Sequence, residues 1–475
     1  MLCWMSPLMR QKSISIVFVW KISVRIVKDV CVVQEVASIK DSYRKKAKMT
    51  TEVLNSMENV KCNEVAGVMY AFPRVALPKQ AIEAAKVSTN QKHYPDLGSD
   101  TTDTSMKFLP RLICSSLTTF RRETMVNEKI MVFLASQVMM GIISTGITEG
   151  KGRAGVMSPI PGYSMYQARL LQHNTHQIFY LLDEDNNWGL NMSKLKKKLG
   201  GARPYCLPRA LVLINPGNPK GQVLTYEDIQ EVIKFCAREK LVLFADEVYQ
   251  DNVYAEGAQF HSCKKVLRDL GAEYSGFQLI SLHSSAKGYT GECGLRGGYI
   301  ELVGFNDQLR SRVKTYLSAR SCPSTIGQVI MGLTYNHPKP GDESYVKFSK
   351  EVTSIKDSYR KKAKMTTEVL NSMENVKCNE VAGAMYAFPR IKLPKKAIEA
   401  AKAKEMPPDE FYCWQALEKT GIYMIPGHVF DMKGSGNNNF YYRITILPSE
   451  ETFAPMFERL RIFHQEFMAQ FKDTN

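Results

Sequence analysis

The sequence predicts an α/β fold, with a large region built on a mainly parallel sheet flanked by helices and a smaller α+β C-terminal region. Three observations carry that expectation. Continuous apolar runs at 155–157, 210–214, 241–245 and 278–281 alternate with helical stretches, and such runs suit strands covered on both faces. Residues 226–239 read as a helix with Thr225 as N-cap, joining two runs in a crossover unit. Finally, the residues of chemical interest fall just past the carboxyl ends of the runs, where open α/β sheets collect ligands.

Composition narrows the class. The chain has 475 residues, 44% hydrophobic and 23% charged, which is ordinary for a globular protein with a large core. A net charge of +16 fits either nucleic acid or small anionic substrates. Much of the excess lies in exposed-helix patterns such as Arg44-Lys45-Lys46-Ala47-Lys48, and no nucleic-acid module accompanies them. No nucleic-acid partner is therefore expected. The 11 cysteines are odd in number and form no Cys-x-x-Cys pair, which points to free thiols in a reducing compartment and to no metal site.

In chain order, residues 1–34 form a basic leader of uncertain structure. Its apolar run at 14–20 is too short to span a membrane, so no membrane partner is expected. A cytoplasmic location is the expectation, with a mitochondrial presequence as the alternative. Residues 35–86 then recur as 351–402 with five substitutions. Solenoid repeats are adjacent and share a core; copies this distant and this alike indicate a recent duplication. Each copy reads as a long basic amphipathic helix, a strand near Met-Tyr-Ala-Phe-Pro, and a short helix. The expectation is that 351–402 fills the native slot and that the first copy, within 35–88, is redundant. Residues 89–128 read as an irregular linker, 129–325 as the large cofactor-binding domain and 326–475 as the C-terminal small domain.

The chemistry concentrates in three segments. Ser281-Leu282-His283-Ser284-Ser285-Ala286-Lys287-Gly288 leads to Gly294-Leu295-Arg296-Gly297-Gly298, read as a glycine-rich turn. A lysine amine becomes nucleophilic when desolvation or a nearby cation lowers its pKa. Arg296 can supply that cation and clamp a phosphate with Ser284. The combination suggests a Schiff base between Lys287 and pyridoxal phosphate, against a plain solvated lysine. Asn215-Pro216-Gly217-Asn218-Pro219-Lys220-Gly221 follows the 210–214 run as a rigid turn offering the Asn218 amide, or as an ordinary turn. Asp246, in Ala245-Asp246-Glu247-Val248-Tyr249, ends an apolar run where an unpaired carboxylate is expensive. A protonated pyridine nitrogen would explain it, with Tyr249 on the ring hydroxyl; a helix-capping Asp is the other reading.

Taken together, Ile-Asn-Pro-Gly-Asn-Pro-x-Gly-Gln-Val, Ala-Asp-Glu-Val-Tyr-Gln-Asp-Asn-Val-Tyr and Lys-Gly-Tyr-x-Gly-Glu-Cys-Gly-x-Arg-Gly-Gly-Tyr resemble the fold-type I, pyridoxal-phosphate-dependent aminotransferases, and within them the alanine aminotransferase family. The resemblance runs from about residue 155 to the C-terminus. It implies that Lys287 is the Schiff-base lysine and proton shuttle, and that Asp246 partners the pyridine nitrogen. Tyr249 and Asn218 would meet the 3-hydroxyl, and Ser284 and Arg296 the phosphate. Tyr163 would stack on the ring, and Arg443 would grip the substrate α-carboxylate beside Asn218. The implied reaction moves the amino group of L-alanine to 2-oxoglutarate in a homodimer, giving pyruvate and L-glutamate. Amino acids and 2-oxo acids are the small-molecule partners; an impaired relative and a transaminase of other amino acids are the alternatives.

Departures from the family pattern are specific. The usual N-terminal region with its substrate loop is replaced by the leader, the first copy and 89–128. The Gly-Ala-Ser phosphate turn is reduced to Phe133-Leu134-Ala135-Ser136-Gln137-Val138, leaving Ser136 as its phosphate contact. Lys220 stands where the family's Asn-Pro-Thr-Gly turn has threonine.

Overall fold

The computed structural model describes residues 32–64, 74–76, 124–127, 150–318, 325–432 and 438–473. The chain divides into two compact units, Met1–Pro110 and Arg111–Asn475. In the first, helix α1 (Val32–Ser56) precedes an antiparallel pair, β1 (Val60–Lys61) with β2 (Arg74–Val75). The Asn55 side chain donates to the Cys62 carbonyl at 3.0 Å and accepts from the Cys62 amide at 2.7 Å.

The second unit is built on a seven-stranded sheet. In chain order its strands are β3 (Thr124–Asn127), β4 (Ala154–Ile160), β5 (His176–Leu181), β6 (Leu207–Ile214), β7 (Val242–Asp246), β8 (Leu279–Ser284) and β9 (Gly297–Val303). Across the sheet the order is β3-β9-β8-β7-β6-β4-β5. The strands from β5 to β8 are mutually parallel, and β9 runs antiparallel to both neighbours. Four helices make the crossovers: α2 (Ser164–Gln172), α3 (Met192–Ala202), α4 (Tyr226–Glu239) and α5 (Cys263–Asp269).

The mainly parallel sheet follows from the apolar runs. Side chains alternate across a strand, so a run without polar interruption must find a core on each face. In β7, Val242 and Phe244 join one buried cluster while Leu243 and Ala245 join another. Helix α4 starts as its sequence predicts. Thr225 accepts from the Asp228 amide at 3.1 Å and Asp228 accepts from the Thr225 amide at 3.1 Å, a reciprocal capping box.

One expectation needs correction. Gly297 and Gly298 do not lie in a turn; they are buried residues opening β9, and only the preceding Arg296, at φ 59°, turns the chain. Glycine is required here by close approach: a Cβ on Gly297 would lie 2.5 Å from the Gly327 carbonyl and 2.9 Å from Ser285 Oγ.

After β9 come α6 (Asp307–Ser318), α7 (Thr325–Tyr335) and the long α8 (Tyr345–Asn371). A second sheet follows, from β10 (Val376–Lys377), β11 (Tyr386–Ala387), β12 (Arg390–Lys392), β13 (Ile425–Pro426) and β14 (Asn439–Thr445). Its order is β10-β12-β14-β11, with β13 also on β14. Helices α9 (Lys395–Ala403), α10 (Pro408–Thr420) and α11 (Glu450–Gln470) complete this part. Its core joins Leu370 of α8 to Phe411 and Tyr412 of α10 and to Phe453, Phe457, Phe463 and Phe467 of α11. The second copy of the repeat therefore supplies most of α8, three strands and α9.

Among the described residues no helix is long and apolar enough to cross a membrane. The described cysteines, from Cys62 to Cys413, are free thiols.

Candidate active site

Adjacent parallel strands deliver three segments to one edge of the large sheet. Ile214 of β6 pairs with Asp246 of β7, and Asp246 pairs with Leu282 of β8. The turn after β6, the end of β7 and the loop after β8 therefore meet at the strands' carboxyl ends, where such sheets bind ligands.

Asp246 is the centre of this edge. It is 4% exposed, and its Oδ2 accepts from the Tyr166 hydroxyl at 2.9 Å. Burial pushes its carboxyl up to about 6, against the opposing pull of Tyr166, the Val248 amide and the Lys287 charge. Its Oδ1 is buried and, among the described residues, meets no donor at bonding geometry. An unfilled buried carboxylate oxygen costs stability, and no helix follows for it to cap, since the chain continues in turns. The site has room, chemically, for one cation or N–H. The protonated ring nitrogen of pyridoxal phosphate fits that requirement. Glu247, next in sequence, is an acid of another kind. Its Oε1 accepts from the Cys263 amide at 2.6 Å, tying β7 to α5, and burial pushes it up to about 7.

Lys287 lies three residues past β8, half-buried, with Nζ 5.7 Å from the Tyr249 ring centroid. Its loop is held by Asn252, whose Oδ1 accepts from the Gly288 amide at 2.9 Å and whose Nδ2 donates to the Tyr254 hydroxyl at 2.8 Å. Gly288 adopts φ 71°, and a Cβ there would sit 3.0 Å from Asp251 Oδ2, so glycine lets the chain turn directly after the lysine.

Asn218 connects the cofactor-side and substrate-side residues. Its Nδ2 donates to the Tyr249 hydroxyl at 3.3 Å, and its Oδ1 accepts from Arg443 Nη1 at 2.9 Å. Arg443 comes from β14, and its guanidinium carbon sits 4.0 Å from the Tyr386 ring centroid and 5.0 Å from that of Phe430. Tyr386 in turn meets Tyr249 edge-on at 6.2 Å. Burial raises the Tyr249 hydroxyl well above its ordinary value, with Tyr386 adding to the effect, so it stays protonated as a donor.

Of the expected phosphate residues, Ser284 ends β8 three residues before Lys287, and Arg296 lies just ahead of β9. Ser284 Oγ accepts from the Ala286 amide at 3.1 Å and donates to the Gly297 carbonyl at 3.4 Å. Arg296 donates to the Cys293 carbonyl at 2.6 Å within its own turn. Tyr163 stands at the N-terminus of α2, edge-on to Tyr166 at 6.4 Å. Ser136 lies outside the described residues.

Two members of the site were assigned no role from sequence. Tyr166 holds Asp246, and its signal was position: three residues after Tyr163, it shares that residue's face of α2. Lys220 is buried in the Asn218 turn with Nζ donating to the Pro161 carbonyl at 3.1 Å, where a lysine in a polar turn suggests an exposed side chain.

The comparisons with known proteins agree with this geometry. The family model "Aminotransferase class I and II" matches residues 136–460. "Alanine aminotransferase 2" of Xenopus laevis is 45% identical over 334 residues, 70% of this chain and 61% of that protein. "Alanine aminotransferase 1" of Homo sapiens is 45% identical over 324 residues, 68% of this chain and 65% of that one. The chain thus spans under two thirds of the length of these relatives. Among solved structures, tyrosine aminotransferase from Leishmania infantum aligns with a TM-score of 0.58 at 16% identity, covering 75% of this chain and 77% of that one. That likeness is one of fold. A mainly parallel sheet carrying an unfilled Asp246 beside Lys287, matched by the family model over most of the chain, makes this protein a member of the class I and II aminotransferases.

Proposed function

We propose that the protein binds pyridoxal phosphate through Lys287 and transfers the amino group of L-alanine to 2-oxoglutarate. The observation that carries the reading is the buried Asp246, with one oxygen on Tyr166 and the other unfilled. The bound cofactor would supply an electron sink for the substrate's α-carbon and a carrier for its amine. The chain's own residues would do the rest. Asp246 would hold the ring nitrogen protonated, Tyr249 and Asn218 would fix the 3-hydroxyl, and Tyr163 would cover the ring face. Ser284 and Arg296 would take the phosphate, with Ser136 as a further contact. Arg443 would grip the α-carboxylate with a planar fork that lysine cannot offer. The Lys287 amine, once free, would move the proton at the substrate's α-carbon.

Similarity to the named alanine aminotransferases supports the substrate pair. A homodimer in the cytoplasm completes the proposal, the compartment resting on the free thiols. The test couples alanine and 2-oxoglutarate to lactate dehydrogenase, with borohydride fixation and peptide mapping alongside. Pyruvate formation abolished by Lys287→Ala, with the fixed cofactor on Lys287, is the expected result. A label elsewhere, or no label on folded protein, refutes the assignment.

A further inference from the structure

The Asn218 turn contains a costly residue that the proposed chemistry leaves unused. Lys220 is 2% exposed, and a buried ammonium is among the most expensive groups a fold can carry. Among the described residues no acid offsets the cost: burial pulls its amine down to about 7. Its hydrogen bond runs from Nζ to the carbonyl of Pro161, at 3.1 Å. Replacing such a group by an apolar side chain of similar shape is often neutral or stabilising. Its placement points to a role other than holding the fold together.

That placement is specific. Lys220 lies two residues after Asn218, and its acceptor Pro161 lies two residues before Tyr163. The two turns extend beyond the ends of β6 and β4, where the sheet ladder between these strands has already stopped. We propose that Lys220 is a positioning residue: its amine ties the turn carrying Asn218 to the turn carrying Tyr163, and so fixes the gap in which the cofactor ring sits. Asn218 meets the ring's edge and Tyr163 its face. A loss of register between them by a fraction of an ångström weakens both contacts together. The inference rests on the reading of Lys287 as the cofactor anchor.

The test is Lys220→Met, which keeps an apolar stem of similar length and removes the amine. Apoprotein is titrated with pyridoxal phosphate to obtain Kd, the circular dichroism of the bound cofactor's visible band is recorded, and the apoprotein's Tm is measured. The expected result is a split: Tm equal to or above that of the parent, Kd raised about threefold to tenfold, and an altered cofactor dichroism. Tenfold corresponds to about 1.4 kcal/mol. Lys220→Gln keeps an N–H donor on a shorter, uncharged side chain and is expected to fall between the two. Unchanged Kd and dichroism overturn the proposal. So does a fall in Tm that accounts for the weaker binding, or failure of both variants to fold, since either outcome makes Lys220 a structural residue. If the parent itself holds no cofactor at Lys287, the reading of the site fails first, and borohydride mapping of the parent identifies that case.

Discussion

Replacing Ala384 by valine should cost this protein several kilocalories, because that single change puts the first copy's residue into the second copy's slot. Ala384 has φ 60°, is fully buried, and donates its amide to the Asn252 carbonyl at 2.9 Å. The corresponding residue of the first copy is Val68. The left-handed region already crowds the Ala384 Cβ against the following carbonyl, and branching at that Cβ adds rotamer strain of about 0.5–1.5 kcal/mol. Adding methyl groups to a closed core adds about 1–3 kcal/mol. The sum is about 1.5–4.5 kcal/mol, or a fall in Tm of about 3–9 °C at about 2 °C per kcal/mol for a large unit. Ile391→Val, the other buried difference, should add about 1 kcal/mol. Thr353→Ala, Lys392→Ala and Lys396→Gln fall at exposed positions and should stay within about 0.5 kcal/mol. Thermal unfolding of the apoprotein by circular dichroism reads the difference. A Tm for Ala384→Val within about 1 °C of the parent would refute the reasoning and show that either copy can fill the slot.

Three further outcomes are expected. Deleting residues 1–86 should leave cofactor affinity and Tm nearly unchanged, as titration and calorimetry would show; a large fall in either means the first copy is engaged. Asp246→Asn should reveal the cost of the buried carboxylate: burial raises its pKa from 3.8 to about 6, so folded-state stability falls as pH rises through that window. The variant's gain in apoprotein Tm over the parent should be smallest at pH 4 and largest above pH 6, with its cofactor affinity reduced; a gain that shrinks with rising pH contradicts the assignment. Finally, a chimera carrying a relative's N-terminal region should turn over alanine about a hundredfold faster than this chain. Equal rates in the lactate dehydrogenase assay would show that residues 1–128 replace that region.

Sequence reading succeeded where one physical demand dominates. Short apolar runs bounded by turn residues suit strands with two buried faces, so β6, β7 and β8 were legible along with the capped helix between the first two. Strand β5 was not: His176-Gln177-Ile178-Phe179-Tyr180-Leu181 lies at the sheet edge with half of it partly exposed, and its mixed pattern carries no such signal. Gly297 and Gly298 read as a turn because glycine permits one, whereas here it serves close packing against α7. The burial of Lys220 carries no sequence signal, since a lysine among prolines and glycines suggests solvent. The repeat sets the sharpest limit. Met57 and Met373 are the same residue in the two copies, yet they are 50% and 5% exposed, because only the second copy precedes a chain that folds α10 and α11 over it.

The hydrogen bonds of Asn218 couple the halves of the proposed chemistry. One amide group serves Tyr249 on the cofactor side and Arg443 on the substrate side, and Tyr386 touches both of those residues. Arg443 is thereby held before a substrate arrives: its guanidinium lies over the Tyr386 ring, and Asn218 occupies one of its donors. Ordering in advance reduces the entropy lost when a carboxylate binds. It also means that a carboxylate pulling on Arg443 is felt by the Asn218 side chain, and through it by the hydroxyl of Tyr249. On the proposed reading that hydroxyl lies against the cofactor ring, so substrate binding and the electronic setting of the cofactor are joined through one side chain. The second sheet is then part of the chemistry, because β11 and β14 bring Tyr386 and Arg443 to an edge of the large sheet that could otherwise bind the cofactor alone.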